Sequence, residues 1–224
     1  MGLRRIQSAI AKVQAKHADL RIDIKFAPFL LDSTLPTTGT SKRGRYIEKY
    51  GAARFETMEK EMIARGRIEN IEFSYGGLIS ATFACHRLVE KAFELGGSQK
   101  QVALVENLFA ACELFFLFGQ RGEAERSVDQ STADFEKEMD IGDHEVLARA
   151  SEEVGVMNRD AALAFLSGNE LQREVEAGVT KAQARGISGV PFTIINGKLA
   201  ISGAQEEATF VEVFEKLVSG ELKV

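Results

Sequence analysis

The dipeptide Asn196-Gly197, set between two apolar runs, does most to restrict what this chain can fold into. Phe192-Thr193-Ile194-Ile195 precedes it and Lys198-Leu199-Ala200-Ile201 follows. A two-residue type I′ turn needs φ > 0 at both central positions, which Asn and Gly tolerate best, and its twist suits two paired strands. The segment therefore predicts a β-hairpin. Gly189-Val190-Pro191 leads directly into the first strand. Beyond the second, Glu206 to Val218 places Phe210, Val213, Phe214 and Leu217 on one helical face.

The rest of the chain is mostly helical in pattern. Leu3, Ile6, Ile10, Val13 and His17 recur at three- and four-residue steps, which predicts an amphipathic helix beginning almost at the first residue. Arg21-Ile22-Asp23-Ile24-Lys25-Phe26 alternates with period two and predicts a strand; Pro28 and Asp32 to Ser41 read as loop. Lys42 to Ala64 is charged and helix-forming. Thr82 to Leu95 predicts a firmer helix stopped by Gly96-Gly97, and Val102 to Phe118 another. Gly119 to Asp134 is polar and weakly patterned. Asp143 suits the N-cap of a helix over His144 to Glu153, and Asn158 that of one over Ala161 to Leu166. Leu171, Val175, Val179 and Ala182 form an apolar stripe ending at Gly186. No internal repeat or low-complexity segment occurs.

Composition excludes several classes of function. The 224 residues carry 28 Lys and Arg against 33 Asp and Glu, a net charge of −5, and no basic stripe. Such a chain has no positive field to attract nucleic acid or anionic membranes. The longest strongly apolar run, Leu114 to Phe118, falls far short of the roughly 20 residues that cross a bilayer, and Met1 to Val13 holds no signal-type apolar core. Met1-Gly2 hints at myristoylation, but Ile6 stands where Ser or Thr is needed. A soluble cytoplasmic protein is expected. Cys85 and Cys112 form no CxxC, and His17, His86 and His144 have no metal-binding spacing, so no metal site is expected. Cys85 lies at helical spacing with Leu88, Val89 and Ala92, as a small buried hydrophobe would. Gly-x-Ser-x-Gly, Walker and GxGxxG patterns are absent.

The order helix, strand, many helices, hairpin, helix brings a family into view. Gly186-Ile187-Ser188-Gly189-Val190-Pro191-Phe192, Ile201-Ser202-Gly203-Ala204-Gln205, Asp140-Ile141-Gly142-Asp143-His144-Glu145-Val146-Leu147 and Cys85-His86-Arg87-Leu88 resemble the characteristic stretches of the DsbA/FrnE-like oxidoreductases. The resemblance runs from Leu3 to Leu217. It implies an α/β thioredoxin-like fold with a large inserted α-helical domain and the first strand missing. The thioredoxin-like domain would be discontinuous, residues 1–41 and 186–224, and residues 42–185 would form the insert. It also implies a cis bond before Pro191. That geometry turns the backbone groups of Val190 outward as an edge on which an extended peptide or a thiol cofactor could pair.

Two departures from the family stand out. In the family a first strand and a CxxC motif precede the helix that here begins at Gly2-Leu3-Arg4-Arg5, and neither Cys85 nor Cys112 matches that pair. The chain is therefore expected to be an N-terminally truncated version or a non-catalytic relative, inactive as written, because the nucleophilic thiolate is absent. Without that strand, Arg21 to Phe26 and the hairpin would keep open edges through which the chain could oligomerise. Secondly, Cys112 to Asp134 interrupts the usual passage from a leucine-rich helix through Tyr-Phe to the Asp140 turn. Cys112-Glu113 can be encoded with an embedded GTGAG and Ala133-Asp134 with an embedded AG. Excision restores a Tyr before Phe135, so the segment is expected to be a retained intron, with a surface loop extension as the alternative.

The resemblance implies no catalytic residue in this chain and a substrate site at Val190, Pro191, His86, Arg87 and Ser202. His86 and Arg87 would orient a substrate or stabilise a thiolate, a cation lowering the thiol pKa. Alternatively the pair is a solvated His-Arg on the flank of a helix. Three classes of function follow. One is a thiol–disulfide oxidoreductase acting on protein or small-molecule thiols. Another is a glutathione-dependent isomerase or transferase of the kappa type, glutathione being its cofactor. The third is a non-catalytic peptide-binding protein.

Overall fold

The computed structural model describes residues 1–71, 73–113 and 139–223. In chain order the elements are α1 (Gly2–Lys16), β1 (Thr40–Ser41), α2 (Lys42–Tyr50), α3 (Ala52–Ile68), β2 (Leu78–Ile79), α4 (Phe83–Glu113), α5 (His144–Glu153), α6 (Arg159–Ser167), α7 (Gln172–Ala184), β3 (Phe192–Ile195), β4 (Leu199–Ser202) and α8 (Glu207–Val218). They divide into two compact units, one of residues 1–24 and 180–224, the other of residues 25–179. The division falls after Ile24 and within α7.

In the first unit, β3 and β4 form the expected antiparallel hairpin, with Phe192 opposite Ser202 and Ile195 opposite Leu199. Asn196 has φ 50° and Gly197 φ 77°, the left-handed pair that a type I′ turn requires. Ala9 and Val13 of α1 meet Phe210 and Phe214 of α8, all at most 5% exposed, and Ile6, Ile10, Leu20, Ile22, Ile195, Ile201, Val211 and Leu217 pack around them. Polar contacts run along the rim of this core. Glu207 accepts from Ser8 and Lys12, and Glu215 lies 2.7 Å from Lys16 Nζ and 2.8 Å from His17 Nε2.

The predicted strand over Arg21 to Phe26 is corrected. The exposure of the segment alternates, Ile22 and Ile24 inward and Arg21 and Asp23 outward, but among the described residues it joins no ladder. Alternation follows from local chain geometry, whereas a strand also needs a neighbour. At Phe26 a side chain takes the neighbour's place: Gln101 Oε1 accepts from Phe26 N–H at 2.8 Å and Gln101 Nε2 donates to Phe26 C=O at 3.1 Å. The loop expected over Asp32 to Ser41 also differs at its end, where Thr40 and Ser41 pair with Ile79 and Leu78.

The second unit is built of helices. Lys42 to Ala64 resolves into α2 and α3, separated at Gly51, whose φ of 81° no helix accommodates. α4 is broken at Gly96 and Gly97, as the sequence predicts. Asp143 caps α5 by accepting from the N–H groups of Glu145 and Val146, and Asn158 caps α6 by accepting from that of Ala161. Phe55, Leu88, Leu104, Leu147 and Val175 are fully buried, and Cys85 is buried beside Leu88 as its spacing suggested. Asp140 joins two segments by accepting from the N–H groups of Ser80 and Gly142. Cys112 to Asp134 lies almost wholly outside the described residues, so the intron expectation does too.

Candidate functional site

The first unit brings three of the expected residues together where β3 begins. The Val190–Pro191 peptide bond is cis. Pro191 C=O accepts from Gly203 N–H at 2.9 Å, one step beyond the Phe192–Ser202 pair, so the hairpin ladder extends to the proline itself. Gly203 turns the chain away at φ 80°. Ser202 is exposed, and its C=O accepts from Gln205 Nε2 at 2.7 Å. Val190 is 55% exposed, high for a large apolar residue. Among the described residues, neither its N–H nor its C=O has a hydrogen-bond partner within the chain. Backbone groups of this kind, ahead of an edge strand, can pair with an added extended segment.

The N-terminus of α1 faces the same turn. A methyl group built on Gly2 would stand 3.0 Å from Pro191 Cγ and 3.7 Å from Ala204 Cβ. The first turn of α1 holds no acidic residue, and no side chain caps it. Its N–H groups carry the positive end of the helix dipole, which favours an anion such as a thiolate. Pattern reading missed two residues of this arrangement. Gly2 is the close approach that permits the contact with Pro191. Arg5 Nη1 donates to Ala204 C=O at 2.9 Å and Gln205 C=O at 3.2 Å and pairs with Glu206. A cation in the first turn of a helix, against the dipole, is the signal that could have found it.

His86 and Arg87 belong to the second unit, at the start of α4. Arg87 is 6% exposed. Its Nε donates to Glu170 C=O at 2.7 Å, Nη2 to Phe165 C=O at 3.0 Å and Nη1 to Leu166 C=O at 3.3 Å. Both carbonyls lie in the last turn of α6, and that of Phe165 also accepts from Gly168 N–H at 3.2 Å. Arg87 thus ties α6 to α4, with its guanidinium also over the Phe165 ring. This does not fit an exposed flank. Burial lowers its pKa. His86 is half-buried, and burial lowers its pKa below the usual imidazole value, although a hydrogen bond to the Phe29 backbone partly offsets this.

A hollow of about 590 Å³ in the second unit, lined by Met139, Asp143, Glu145, Val146, Arg149 and Arg159, includes none of the expected site residues. Among the described residues no three His, Cys, Asp or Glu side chains converge on a metal position, and no helix is long and apolar enough to cross a membrane.

Comparison with known proteins bears on the fold and the family. Among solved structures, the chain is similar to a probable DsbA oxidoreductase from Streptomyces coelicolor, at 20% identity and a TM-score of 0.75, over 100% of this chain and 85% of that one. At that identity the likeness carries the fold: thioredoxin-like, with a helical insertion. No curated protein matches. The model of the DSBA-like thioredoxin domain matches residues 2–215, nearly the whole chain, and the protein belongs to that family.

Proposed function

We propose that this chain is the substrate-binding scaffold of a DsbA-family thiol–disulfide oxidoreductase, and that its 224 residues alone perform no exchange. The observation that carries this reading is the exposed, unpaired backbone of Val190 ahead of Pro191 and β3. An extended polypeptide can add there by main-chain hydrogen bonds, its cysteine toward the N-terminus of α1. Exchange needs a thiolate that attacks a disulfide sulfur. The sequence holds no CxxC, and Cys85 is buried in the second unit. Glutathione and other small thiols compete with the peptide in this reading and are not needed as resident cofactors.

Two measurements on the purified chain test it. In an NMR titration with a short extended peptide carrying one cysteine, amide shifts should concentrate at Val190, Ser202 and Gly203. In the insulin-reduction assay the chain should not accelerate turbidity beyond the dithiothreitol control. Saturable binding of glutathione with no response to the peptide would favour the glutathione-dependent class instead. Acceleration of insulin reduction would show that Cys85 or Cys112 exchanges and would overturn the scaffold reading.

A further inference from the structure

We infer that Arg5 is a positioning residue: it locks the loop 203–206 onto the first turn of α1 and so fixes the Pro191 edge. The inference rests on the reading above only for its consequence for binding. Arg5 sits where the helix dipole disfavours a cation. A single nitrogen, Nη1, is within 3.2 Å of Ala204 C=O, Gln205 C=O and Glu206 Oε1 together. The Arg5 side chain is 17% exposed whereas that of Glu206 is 77% exposed, so solvent screens the contact to the carboxylate. The loop so held begins at Gly203, whose N–H donates to Pro191 C=O, and contains Ala204, which faces Gly2 beside Pro191. One cation thus joins the start of α1, the N-cap of α8 at Glu206 and the turn that presents Val190. A Lys at this place would carry its charge one bond nearer the backbone than Nη1 does and on a freely rotating ammonium, so it would hold the same acceptors less well.

Amide hydrogen exchange on the 224-residue chain tests the inference directly, because local opening of a loop is read without any ligand. In Arg5→Ala, the amides of Gly203 and Gln205 should exchange about tenfold faster, the order expected for losing one charge-assisted hydrogen bond. Arg5→Lys should fall between Arg5→Ala and the parent. Lys16→Ala removes the ion pair to Glu215 at the other end of the α1–α8 contact and should leave the loop amides unchanged. A cysteine-containing peptide should bind Arg5→Ala more weakly by a similar factor. Loop exchange within twofold of the parent in Arg5→Ala, or equal acceleration in Lys16→Ala, would overturn the inference. So would unaltered peptide affinity in a variant whose loop has loosened. If the parent binds no peptide, the scaffold reading fails, while the exchange data still decide the role of Arg5.

Discussion

Gln101 offers the sharpest test of how the second unit is held. It is 0% exposed and uses both ends of its amide: the oxygen accepts from Phe26 N–H at 2.8 Å, and the nitrogen donates to Phe26 C=O at 3.1 Å and Val89 C=O at 3.3 Å. Gln101→Leu keeps the volume and removes all three bonds. Val89 lies within the helical part of α4 and can keep its helical donor, so that loss is minor. The two backbone groups of Phe26 lose their partner, and Phe26 is half-buried, so the low end of the desolvation range applies. The expected cost is about 2–3 kcal/mol, or roughly 4–12 °C in Tm for a chain of this size. Urea unfolding followed by circular dichroism measures it. Gln101→Glu should cost more at neutral pH, since a carboxylate cannot donate to Phe26 C=O and would be buried charged. Its folded pKa would be raised by burial, so the deficit relative to the parent should narrow as the pH falls and the acid form takes over the donor's role. A Gln101→Leu variant within about 0.5 kcal/mol of the parent would refute the view that this side chain replaces a strand neighbour.

Asp143→Ala should cost about 1 kcal/mol by thermal unfolding, the usual loss when an N-cap that bonds backbone N–H groups is removed. Glu207 and Glu215 are held below the ordinary carboxylate range, Glu207 by hydrogen bonds from Lys12 and Ser8 and Glu215 by those from Lys16 and His17. Their contribution is present above the unfolded carboxylate pKa and is lost as the pH falls through the lower folded values. Exchange of α1 and α8 amides should therefore rise below about pH 4, and a pH-independent profile would count against these pairs. His86 should titrate by NMR with a midpoint below the usual 6.5; a normal or raised midpoint would contradict its burial. The sign follows from the lowered folded pKa: any stability it confers is present above the unfolded value and is lost in acid.

Features set by neighbouring residues were legible in the sequence. Asn196-Gly197 specifies its turn because φ > 0 is a property of those two residues, and the caps at Asp143 and Asn158 act over two or three positions. Arg21 to Phe26 shows where such reading ends. Its period of two set which side chains turn inward, yet pairing depends on a partner distant in sequence, and the one at Phe26 is a glutamine side chain 75 residues away. The Thr40–Ile79 and Ser41–Leu78 pairs are too short and too far apart to leave any local pattern. The setting of Arg87 was not legible for a related reason. A helix pattern shows that an arginine is present but not what its guanidinium meets, and here it meets the carbonyl end of α6.

The Pro191 edge was expected from resemblance alone because it consists mainly of backbone. Val190 contributes its N–H and C=O, Pro191 its carbonyl to Gly203, and α1 its N-terminal amides. Such groups are common to every sequence, so no spacing of side chains announces them. The same fact bears on substrate choice. Main-chain pairing stabilises any extended segment to a similar degree and discriminates little among them. In the proposed reading, selectivity at this edge comes from the side chains that flank it. Val190, 55% exposed, offers an apolar contact, and the exposed Ser202 a hydroxyl on the opposite strand. Exchanging these two side chains should alter which peptides are preferred while leaving the backbone mode of binding in place.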